Sequence, residues 1–402
     1  MGILPCLEEI VSASGSNSKV CILTSVHPPF DPRIFHKEAQ TLVQAGYEVV
    51  LIAPHDRESE NVDGVQIMGL PRYKRRFYRP LNWWRILRTA LRQKADVYHF
   101  HDPELLPIGL WLQWWTGKPA VYDAHEHYPD TILIREWIPS PAREPISKLF
   151  DLVELRFGAL FSAVSVADDE VEARFKKISH RVVKLYNFPL QAIFQAGEGG
   201  ETESVGRLNS VVHVGLLSEV RGVWIMLDAI SVLINTYNMD VTLTLVGRPS
   251  SLTLEKQVKD CIQARSIANH IELVGQVSYV EVPKYTRRAR VGWVPWQPIE
   301  KHYKNIPTKM FEYMACGLPI VASDLPPIRQ FMGDLNCGLL VDPTDPQAHA
   351  EAILYLLDHP DEAQLMGENG RRAVEEKYNW ESEGRKLLGL YEELLCSVNR
   401  GF

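Results

Sequence analysis

The chain has 402 residues, 46% of them hydrophobic, so it can bury a large core and is long enough to form two domains. Its formal net charge of −7 argues against nucleic acid as the main ligand. The six cysteines include no C-x-x-C pair, which argues against a zinc or disulfide framework and indicates reduced thiols in the cytoplasm.

The first residues are not expected to direct export. Residues 1–17 are polar, carry acids early and lack the basic region of a secretory signal, so we expect a mobile leader there. No uninterrupted apolar run approaches the roughly 20 residues of a transmembrane helix. We therefore expect a cytoplasmic protein that would meet the inner face of the cell membrane only as a peripheral protein.

The first half of the chain alternates short apolar strands with segments of helix length. Strands are expected at residues 19–25, 48–53, 96–100, 120–123 and 163–166. A helix should begin with Asp31 as its cap and Pro32 in its first turn, and should end at Gly46. This alternation is typical of parallel βαβ units.

Residues 195–209 are glycine-rich and polar, the composition of a linker or a mobile surface loop. The alternating pattern then restarts. Strands are expected at 210–214, 240–246, 271–274 and 290–294, and helices at 222–235, 282–289 and within 349–395. The sequence therefore predicts two α/β halves with a cleft between them, and in such sheets ligands bind at the carboxyl ends of the strands.

The segment 305–324, NIPTKMFEYMACGLPIVASD, predicts a short helix followed by a buried strand at 319–323. Pro307 suits the first helical turn and Gly317 the left-handed residue just past its end. The positive helix end would lie beside Asn305 and Lys309, where it could bind phosphate. Glu312 lies about one and a half turns further in, where it could accept hydrogen bonds from a diol such as ribose. A solvent-facing glutamate paired with Lys309 fits the spacing equally well.

This motif, N-x-P-x-K-x-F-E-Y-M-A-x-G-x-P, resembles the donor-site signature of the GT-B glycosyltransferases, and within them the retaining family 4. Its form is similar to that of bacterial cell-surface and capsular polysaccharide transferases, and the resemblance covers about residues 19–395. It implies two Rossmann-like domains facing across a cleft. Residues 18–190 would form the acceptor-side domain and 205–380 the nucleotide-sugar domain, with a final helix in 381–402 crossing back to the first. The absence of G-x-G-x-x-G after the first strand argues against a dinucleotide dehydrogenase.

Arg221 follows a predicted strand across the loop HVGLLSEVRG and precedes a helix. A cation beside a helix N-terminus suits a diphosphate, although an exposed arginine at a loop tip is the simpler interpretation from the residues alone. The loop resembles the family pattern G-x-L-x-x-x-K-G, which implies that Arg221 replaces the phosphate-binding lysine. Arg221 and Lys309 would then stabilise the departing diphosphate.

The resemblance also implies a set of residues that bind the sugar donor. They are Glu312, Asn305, Gly215, Gly222, Val277 and Thr308. Glu312 would hold the ribose, and residues 275–277 would contact the nucleobase through their backbone. The sequence departs from the family at two positions. Lys304 stands where many members carry a second glutamate, and Leu216 stands where a second arginine is common.

His125 follows a predicted strand in the segment AVYDAHEHYPD. Histidine hydrogen-bonds readily and titrates near neutral pH, but a satisfied loop histidine is the alternative. By resemblance, His125 matches the histidine near the donor sugar and is our third catalytic candidate. Asp123, Glu126 and His127 would orient it or contact the acceptor.

The sequence H-x-H-D at residues 99–102 invites a metal-site interpretation. GT-B transferases generally need no metal and lack a D-x-D pair, so we predict neither a metal nor another cofactor. We expect His99 to be buried structure. The residues expected to face the acceptor are Asp31, Arg33, His101, Asp102 and Glu126. For Asp31 and Arg33, a helix cap and a surface arginine are the alternatives.

Residues 71–94 hold nine lysines or arginines and no acid, interleaved with tyrosine, phenylalanine and two tryptophans. Anionic membrane surfaces attract such basic segments, and tryptophan favours the interface. A solvated helix face with its tryptophans in the core is the alternative, and nucleic acid ranks third. Trp111, Trp114 and Trp115 would extend the surface or pack inside.

The resemblance, together with these residues, implies a transferase that moves a sugar from a nucleoside-diphosphate sugar to a hydroxyl group, and membership of family 4 implies that it retains the anomeric configuration. The donor would be UDP- or GDP-linked, and the acceptor a glycan, a lipid-linked molecule or a small molecule. Two alternatives stay open: a GT-B nucleotide-sugar epimerase, and a non-catalytic partner that binds nucleotide sugar for another transferase. Release of nucleoside diphosphate only when acceptor is present would distinguish the transferase from both.

Overall fold

The computed structural model describes residues 18–72, 80–133, 135, 138–195 and 209–399. The chain forms two compact units, one made of Met1–Asn187 and Glu381–Phe402 and the other of Phe188–Trp380. The predictions for the leader, for most of the linker and for the core of the basic segment concern residues 1–17, 196–208 and 73–79, which lie outside the described residues.

The first unit is built on an eight-stranded sheet. Its strands are β1 Lys19–Leu23, β2 Glu48–Pro54, β3 Ser59–Val62, β4 Val65–Leu70, β5 Val97–Phe100, β6 Ala120–Ala124, β7 Ala163–Val166 and β8 Val182–Lys184. The spatial order is β3-β4-β2-β1-β5-β6-β7-β8, and every neighbouring pair is parallel except β3 with β4. The predicted parallel α/β architecture is confirmed. The strand order reverses between β1 and β5, which makes their carboxyl ends the expected ligand position.

Strands β3, β4 and β8 were not predicted. A two-residue turn, Asp63-Gly64, joins β3 to β4, and both residues have positive φ (49° and 84°). Asp-Gly is a strong signal for this type of hairpin turn. The sequence analysis missed it because the polar β3 shows no apolar alternation.

Helices cover the sheet of the first unit. A π-helix, Pro32–Ala39, continues into α1 Gln40–Gln44; the others are α2 Pro80–Gln93, a 3-10 turn Pro103–Leu105, α3 Leu106–Thr116, α4 Tyr128–Leu133, α5 Ser140–Gly158 and α6 Asp169–Phe175. The Asp31 carboxylate accepts hydrogen bonds from the backbone N–H of Arg33 (2.9 Å) and Ile34 (3.1 Å). The predicted cap is therefore confirmed, and it orients the chain that follows β1.

The second unit contains a six-stranded, entirely parallel sheet. Its strands are β9 Ser210–Val214, β10 Thr242–Val246, β11 Ile271–Gly275, β12 Val291–Val294, β13 Ile320–Ser323 and β14 Gly338–Val341. They lie in the order β11-β10-β9-β12-β13-β14. This is the doubly wound order of dinucleotide-binding sheets, whose ligands bind where the order reverses. Here that point lies between β9 and β12.

The helices of the second unit lie on both faces of this sheet. They are α7 Gln191–Gln195, α8 Val223–Asn235, α9 Leu252–Ala264, α10 Val282–Thr286, α11 Thr308–Ala315, α12 Pro326–Met332, α13 Pro346–Asp358 and α14 Pro360–Glu376, with short 3-10 turns at Glu219–Arg221, Ala268–His270, Tyr279–Glu281 and Glu300–Tyr303. The main core joins α8, α9 and α13 to β9, β10 and β12.

The final helix, α15 Trp380–Asn399, returns the chain to the first unit. The buried Tyr391 hydroxyl donates a hydrogen bond to Nδ1 of His99 on β5 (2.8 Å), and the Glu383 carboxylate accepts one from the Tyr186 N–H (3.1 Å). The expected return of the last helix is confirmed. Among the described helices, none combines the length and the apolar character needed to cross a bilayer.

Candidate functional site

In the second unit, two glycines shape the loop that follows β9. Gly215 has φ +148° and Gly222 has φ +82°. A Cβ atom on Gly222 would lie 2.0 Å from the carbonyl oxygen of Pro295, directly after β12. The loop therefore closes tightly over the point where the strand order reverses, and α8 begins at once with Val223.

Arg221 lies over this loop and is half-buried, so it does not extend from a loop tip. One of its guanidinium nitrogens, Nη1, is 3.2 Å from the position that a Cβ atom of residue 215 would take. The missing side chain at Gly215 leaves room beside the guanidinium. An anion there would meet the Arg221 charge close to the N-terminus of α8.

Helix α11 brings a second cation to the same end of β9. Pro307 precedes its first residue, Thr308, and Gly317 after its end has φ +65°, as predicted. The Tyr313 hydroxyl accepts a hydrogen bond from the N–H of Val214 (2.8 Å), which fixes the helix against the strand end.

Lys309 and Glu312 on α11 form an ion pair, with Nζ to carboxylate oxygen distances of 2.8 and 2.9 Å. The pairing agrees with the alternative from the sequence, but Glu312 is only 4% exposed and so does not face solvent. The buried carboxylate can still accept hydrogen bonds from a diol, because ionised carboxylates have several acceptor positions.

The other predicted donor residues lie on the segments before α11 and after β11. Asn305 precedes α11 and is half-buried, as is Val277 after β11. Gly275 has φ +81°. Among the described residues, its two chain neighbours aside, no heavy atom lies within 4 Å of the position that a Cβ atom would take, which leaves open space for a ligand. Lys304, at the first departure from the family, forms an ion pair with Glu300 (3.2 Å).

In the first unit, Asp102 ties the ends of β1 and β5 together. It is buried, and its carboxylate accepts hydrogen bonds from the Thr24 hydroxyl (2.8 Å) and the Ser25 N–H (2.6 Å). Asp102 was expected to line the acceptor cleft. In the structure, Asp102 instead holds the loop after β1 in position.

Asp123 is the centre of a buried network. Its carboxylate accepts hydrogen bonds from Arg33 Nε (2.9 Å) and Nη2 (2.8 Å), His101 Nδ1 (3.0 Å), His125 Nδ1 (2.9 Å) and the Ser165 hydroxyl (2.8 Å). Burial alone would raise the pKa of Asp123, but the charge of Arg33 and these hydrogen bonds hold it well below its usual range.

Arg33 is therefore not a surface arginine, since it is only 4% exposed and also donates to the carbonyl of Leu185 (3.0 Å). His101 is fully buried as well. Both were expected to face the acceptor, yet their polar atoms contact protein groups. Of the predicted acceptor residues, Asp31 and Glu126 are half-buried, and for these two the prediction of an acceptor contact stands.

His125 is the network member that reaches the surface. A carboxylate only accepts hydrogen bonds, so the contact with Asp123 places the proton of a neutral ring on Nδ1 and the lone pair on Nε2. Its ring lies 5.2 Å from that of His27. Burial lowers the pKa of His27, but the hydrogen bond to Asp31 and the charges of Asp102, Asp31 and Glu126 outweigh it and raise that pKa to about 9.

Two further residues of this region, Glu38 and His27, were not predicted from the sequence. Glu38 is fully buried with a carboxylate oxygen 3.0 Å from Arg33 Nε and another 3.3 Å from His101 Nε2. Burial and the nearby Asp123 raise its pKa well above the usual range. His27 lies in the predicted loop after β1, so its position was a usable signal. No local pattern distinguishes Glu38 from an ordinary helix glutamate.

Two triads in this network offer metal-ligating atoms within 4.8 Å of one another: Glu38, His99 and His101, and His101, Asp123 and His125. The Arg33 guanidinium contacts both Asp123 and Glu38, so a metal ion would lie next to a buried cation. That arrangement is unfavourable by Coulomb's law in a low-dielectric interior. The absence of a metal stays a prediction.

A cavity of about 280 Å³ opens at the carboxyl ends of β1, β2 and β4. It is lined by Ser25, Val26, Pro28, Pro54, Pro71, Arg72 and Asn82. The mixture of apolar rings with one cation and one amide suits an acceptor that carries both apolar and polar groups.

Two family models match the chain, one in each half. The model for Glycosyltransferase Family 4 matches residues 33–188, and the model for Glycosyl transferases group 1 matches residues 200–373. The second range contains Arg221, Lys309 and Glu312, and the first contains His125.

Several relatives align with more than three quarters of the chain, among them the following two. Phosphatidyl-myo-inositol mannosyltransferase of Mycobacterium leprae is 25% identical over 325 residues, which are 79% of this chain and 78% of that protein. MMP alpha-(1->4)-mannosyltransferase of Mycolicibacterium hassiacum is 28% identical over 336 residues, 78% of this chain and 75% of that protein.

Many solved structures share the fold, among them the following two. Sucrose-phosphate synthase of Thermosynechococcus elongatus has a TM-score of 0.73 at 18% identity, covering 94% of this chain and 100% of that chain. HepE of Anabaena, in complex with UDP and glucose, has a TM-score of 0.69 at 16% identity, covering 93% and 99%. With matching family models in both halves and this shared architecture, the chain belongs to family 4 of the GT-B glycosyltransferases.

Proposed function

We propose that the protein is a retaining glycosyltransferase that moves a sugar from a nucleoside-diphosphate sugar to an acceptor hydroxyl. The observation that carries the proposal is the presence of two cations near the end of β9. Arg221 lies beside the open position at Gly215, and Lys309 lies on α11, whose Tyr313 hydroxyl contacts Val214. Both cations lie where the strand order reverses in a doubly wound sheet, between a helix N-terminus and a buried carboxylate. A diphosphate and a ribose fit these two kinds of group.

The donor is proposed to be a UDP- or GDP-linked sugar. Support for UDP comes from HepE, which shares the fold and was solved with UDP and glucose. Support for an activated mannose, which GDP commonly carries, comes from the names of the two mannosyltransferase relatives. The half-buried Val277 would lie next to the base.

For the acceptor we propose a glycan, lipid-linked or small hydroxyl compound that binds the first unit. The cavity at the ends of β1, β2 and β4 provides the space, and Arg72 offers a charge for an anionic group of the acceptor. A relative acts on phosphatidyl-myo-inositol, by its name, which supports a lipid-linked acceptor.

In the proposed reaction, the bond between the anomeric carbon and the leaving phosphate oxygen breaks, and the acceptor oxygen bonds to the same face of that carbon. The acceptor proton passes to the departing diphosphate. Arg221 and Lys309 stabilise the negative charge that grows there, because fixed cations need no reorganisation during the reaction. His125, held by Asp123, contacts the sugar at the oxocarbenium-like centre. No metal step is required in this scheme.

Donor binding is tested by a thermal-shift screen of UDP, GDP, ADP and TDP with wild type and Glu312→Ala. A ligand at 100 times its dissociation constant should add roughly 2.7 kcal/mol to the free energy of unfolding. We expect one nucleotide to stabilise the wild type and to lose that effect in the variant. Glu376→Ala, an exposed position on α14, is the matched control and should keep the stabilisation.

Catalysis is tested by measuring nucleoside diphosphate release with and without candidate acceptors. Acceptor-dependent release supports the transferase. Conversion of the nucleotide sugar without any acceptor would instead favour the epimerase. Binding without turnover in any acceptor mixture would favour the non-catalytic partner, which the departures at Lys304 and Leu216 keep as an alternative.

We also propose that the first unit binds anionic membrane surfaces peripherally. Trp84 on α2 is 66% exposed, and Trp114 and Trp115 on α3 are 78% and 63% exposed. Helices α2 and α3 pack against each other, and α2 also exposes Arg88 and Arg92. Exposed tryptophans beside arginines match the composition that favours a charged lipid interface.

Vesicle sedimentation tests the membrane proposal. Reversing Arg75, Arg76 and Arg79 to glutamate should release the protein from vesicles that contain phosphatidylglycerol, since each basic residue contributes about 1 kcal/mol near such a surface. The matched control reverses three exposed cations elsewhere, Arg372, Lys377 and Arg385. Unchanged binding of the first variant, or equal loss in the control, would contradict a membrane-binding surface at residues 71–94.

A further inference from the structure

His213 on β9 is a buried histidine whose two ring nitrogens differ in their hydrogen bonding. Its side chain is 3% exposed, and Nδ1 lies 3.1 Å from the carbonyl oxygen of Trp293 on β12. Because a carbonyl only accepts hydrogen bonds, Nδ1 carries the proton of the neutral ring. The other nitrogen, Nε2, is buried and makes no hydrogen bond within the described part of the chain.

This Nε2 atom borders the open position beside Arg221. A Cβ atom on Gly215 would lie 3.8 Å from Nε2 of His213 and 3.2 Å from Nη1 of Arg221. The absence of that atom leaves a small hollow with an imidazole on one side and a guanidinium on the other. A buried polar atom without a partner normally indicates a missing ligand or water, since leaving it unsatisfied costs about 1–3 kcal/mol.

The charged surroundings of His213 favour an anion in this hollow. Arg221 lies on the adjoining loop, and α11 contributes Lys309, paired with Glu312, and the Tyr313 hydroxyl held by Val214. Behind β12, the buried His349 accepts a hydrogen bond from the Trp293 indole. Burial lowers the pKa of His213, the hydrogen bond to the Trp293 carbonyl raises it, and the charges of Arg221 and Lys309 lower it further. The resulting pKa of about 4 keeps the ring neutral at pH 7 in the free protein.

We infer that Nε2 of His213 is a ligand of the donor diphosphate, and that the ring takes up one proton from solvent when the diphosphate binds. The inference rests on the proposed function and adds a residue and a proton to it. A neutral His213 would present a lone pair to the phosphate oxygen, which repels it. Protonation converts Nε2 into a donor, and the phosphate offsets the charges of Arg221 and Lys309 that otherwise oppose protonation.

Isothermal titration calorimetry with UDP-glucose and GDP-mannose tests the proton uptake. The diphosphate of these probes is a diester and does not itself titrate near neutral pH, so any proton taken up on binding is bound by a group of the protein and is supplied by the buffer. Measurements in two buffers of different ionisation enthalpy give the number of protons taken up. We expect uptake that approaches one proton at about pH 6, and an affinity that rises as the pH falls, by up to about tenfold per pH unit below the pKa of the bound state.

His213→Gln retains an uncharged N–H donor, and His213→Phe retains the ring volume without polar atoms. We expect both variants to take up no proton, the first binding with little pH dependence and the second binding weakly. His359→Gln removes an exposed histidine at the end of α13 and should keep the wild-type proton count. Thermal unfolding of each variant shows whether it is folded.

Binding of a probe without proton uptake in the wild type, or with equal uptake in His213→Gln, would overturn the inference and leave the proposed function standing. If neither nucleotide sugar binds the wild type under any of these conditions, the proposed function fails and this inference fails with it. The two failures are therefore distinguishable.

Discussion

Lys309→Gln and Arg221→Gln are each expected to lower kcat/KM by about 10²–10³-fold. Arg221 borders the hollow at Gly215, and Lys309 lies on α11, whose Tyr313 hydroxyl contacts the end of β9. Both carry charge that a departing diphosphate needs. Glutamine is preferable to alanine at position 309 because Glu312 is buried and hydrogen-bonded to the Lys309 ammonium. The amide keeps one donor for this carboxylate, so the variant tests the charge with less damage to the fold.

The measurement is steady-state kinetics with a fixed acceptor and varied donor. Because the charge on the diphosphate increases in the transition state, kcat should fall as well as the affinity for the donor. Lys284→Gln, an exposed lysine on α10, serves as the control for removal of a positive charge from the same unit. A change confined to KM would mean that the two cations only bind the donor, and an unchanged kcat/KM would exclude them from the site.

The double variant adds a sharper test. If both cations act on one diphosphate, the effects of the two substitutions are expected not to add. Once the first cation is removed, the diphosphate is already bound poorly, and removal of the second cation changes a weakened interaction. Strictly additive losses would indicate that Arg221 and Lys309 contact separate groups of the substrate.

Asp123→Asn is expected to destabilise the first unit by about 3–5 kcal/mol. The substitution leaves the buried Arg33 guanidinium without its main carboxylate partner and removes an acceptor shared by His101 and His125. Activity should also fall, since the contact that fixes the His125 tautomer is weakened. Asp96→Asn is the control, because Asp96 pairs with Lys118 at a partly exposed site (2.9 Å) and should cost about 1 kcal/mol or less.

Native-state hydrogen exchange is the suitable readout, because a chain of two units need not unfold in one step. We expect amides of β5, β6 and β7 in the variant to lose protection while those of β12 and β13 keep it. Adding Arg33→Met to Asp123→Asn should restore part of the stability, since both buried partners are then removed together. If the double variant recovers no stability, the unpaired Arg33 charge is not the main cause of the destabilisation.

Much of the fold could be predicted from local patterns. Buried parallel strands such as β1, β5, β9 and β12 are short apolar runs, and the helix cap at Asp31 and the left-handed Gly317 follow from single residues with strong conformational preferences. The order of the donor motif along the chain also predicted that Lys309 and Glu312 share one helix. These features depend on neighbours in sequence, so the sequence shows them directly.

The residues of the candidate sites were predicted less well than the fold. Gly215, Arg221 and Gly222 follow β9 directly, at the edge where parallel strands gather their carboxyl ends, and their role in donor binding stays a prediction, as does that of the residues before α11. The exposure of individual side chains was not predicted correctly. Arg33 and His101 were assigned to an acceptor surface but are buried, and Glu38 was missed, since burial depends on which helices cover the sheet.

By itself the sequence determined the α/β class, the two-half organisation and the positions of the cations and glycines near the strand ends. Only the tertiary structure decided that Asp123 gathers Arg33, 90 residues away in sequence, and that Tyr391 reaches His99 across 292 residues. It also decided that Nε2 of His213, beside Gly215, makes no hydrogen bond to any residue that the structure describes. Hydrogen bonds and burial of this kind arise between elements that meet only when the sheets assemble, and no local periodicity records them.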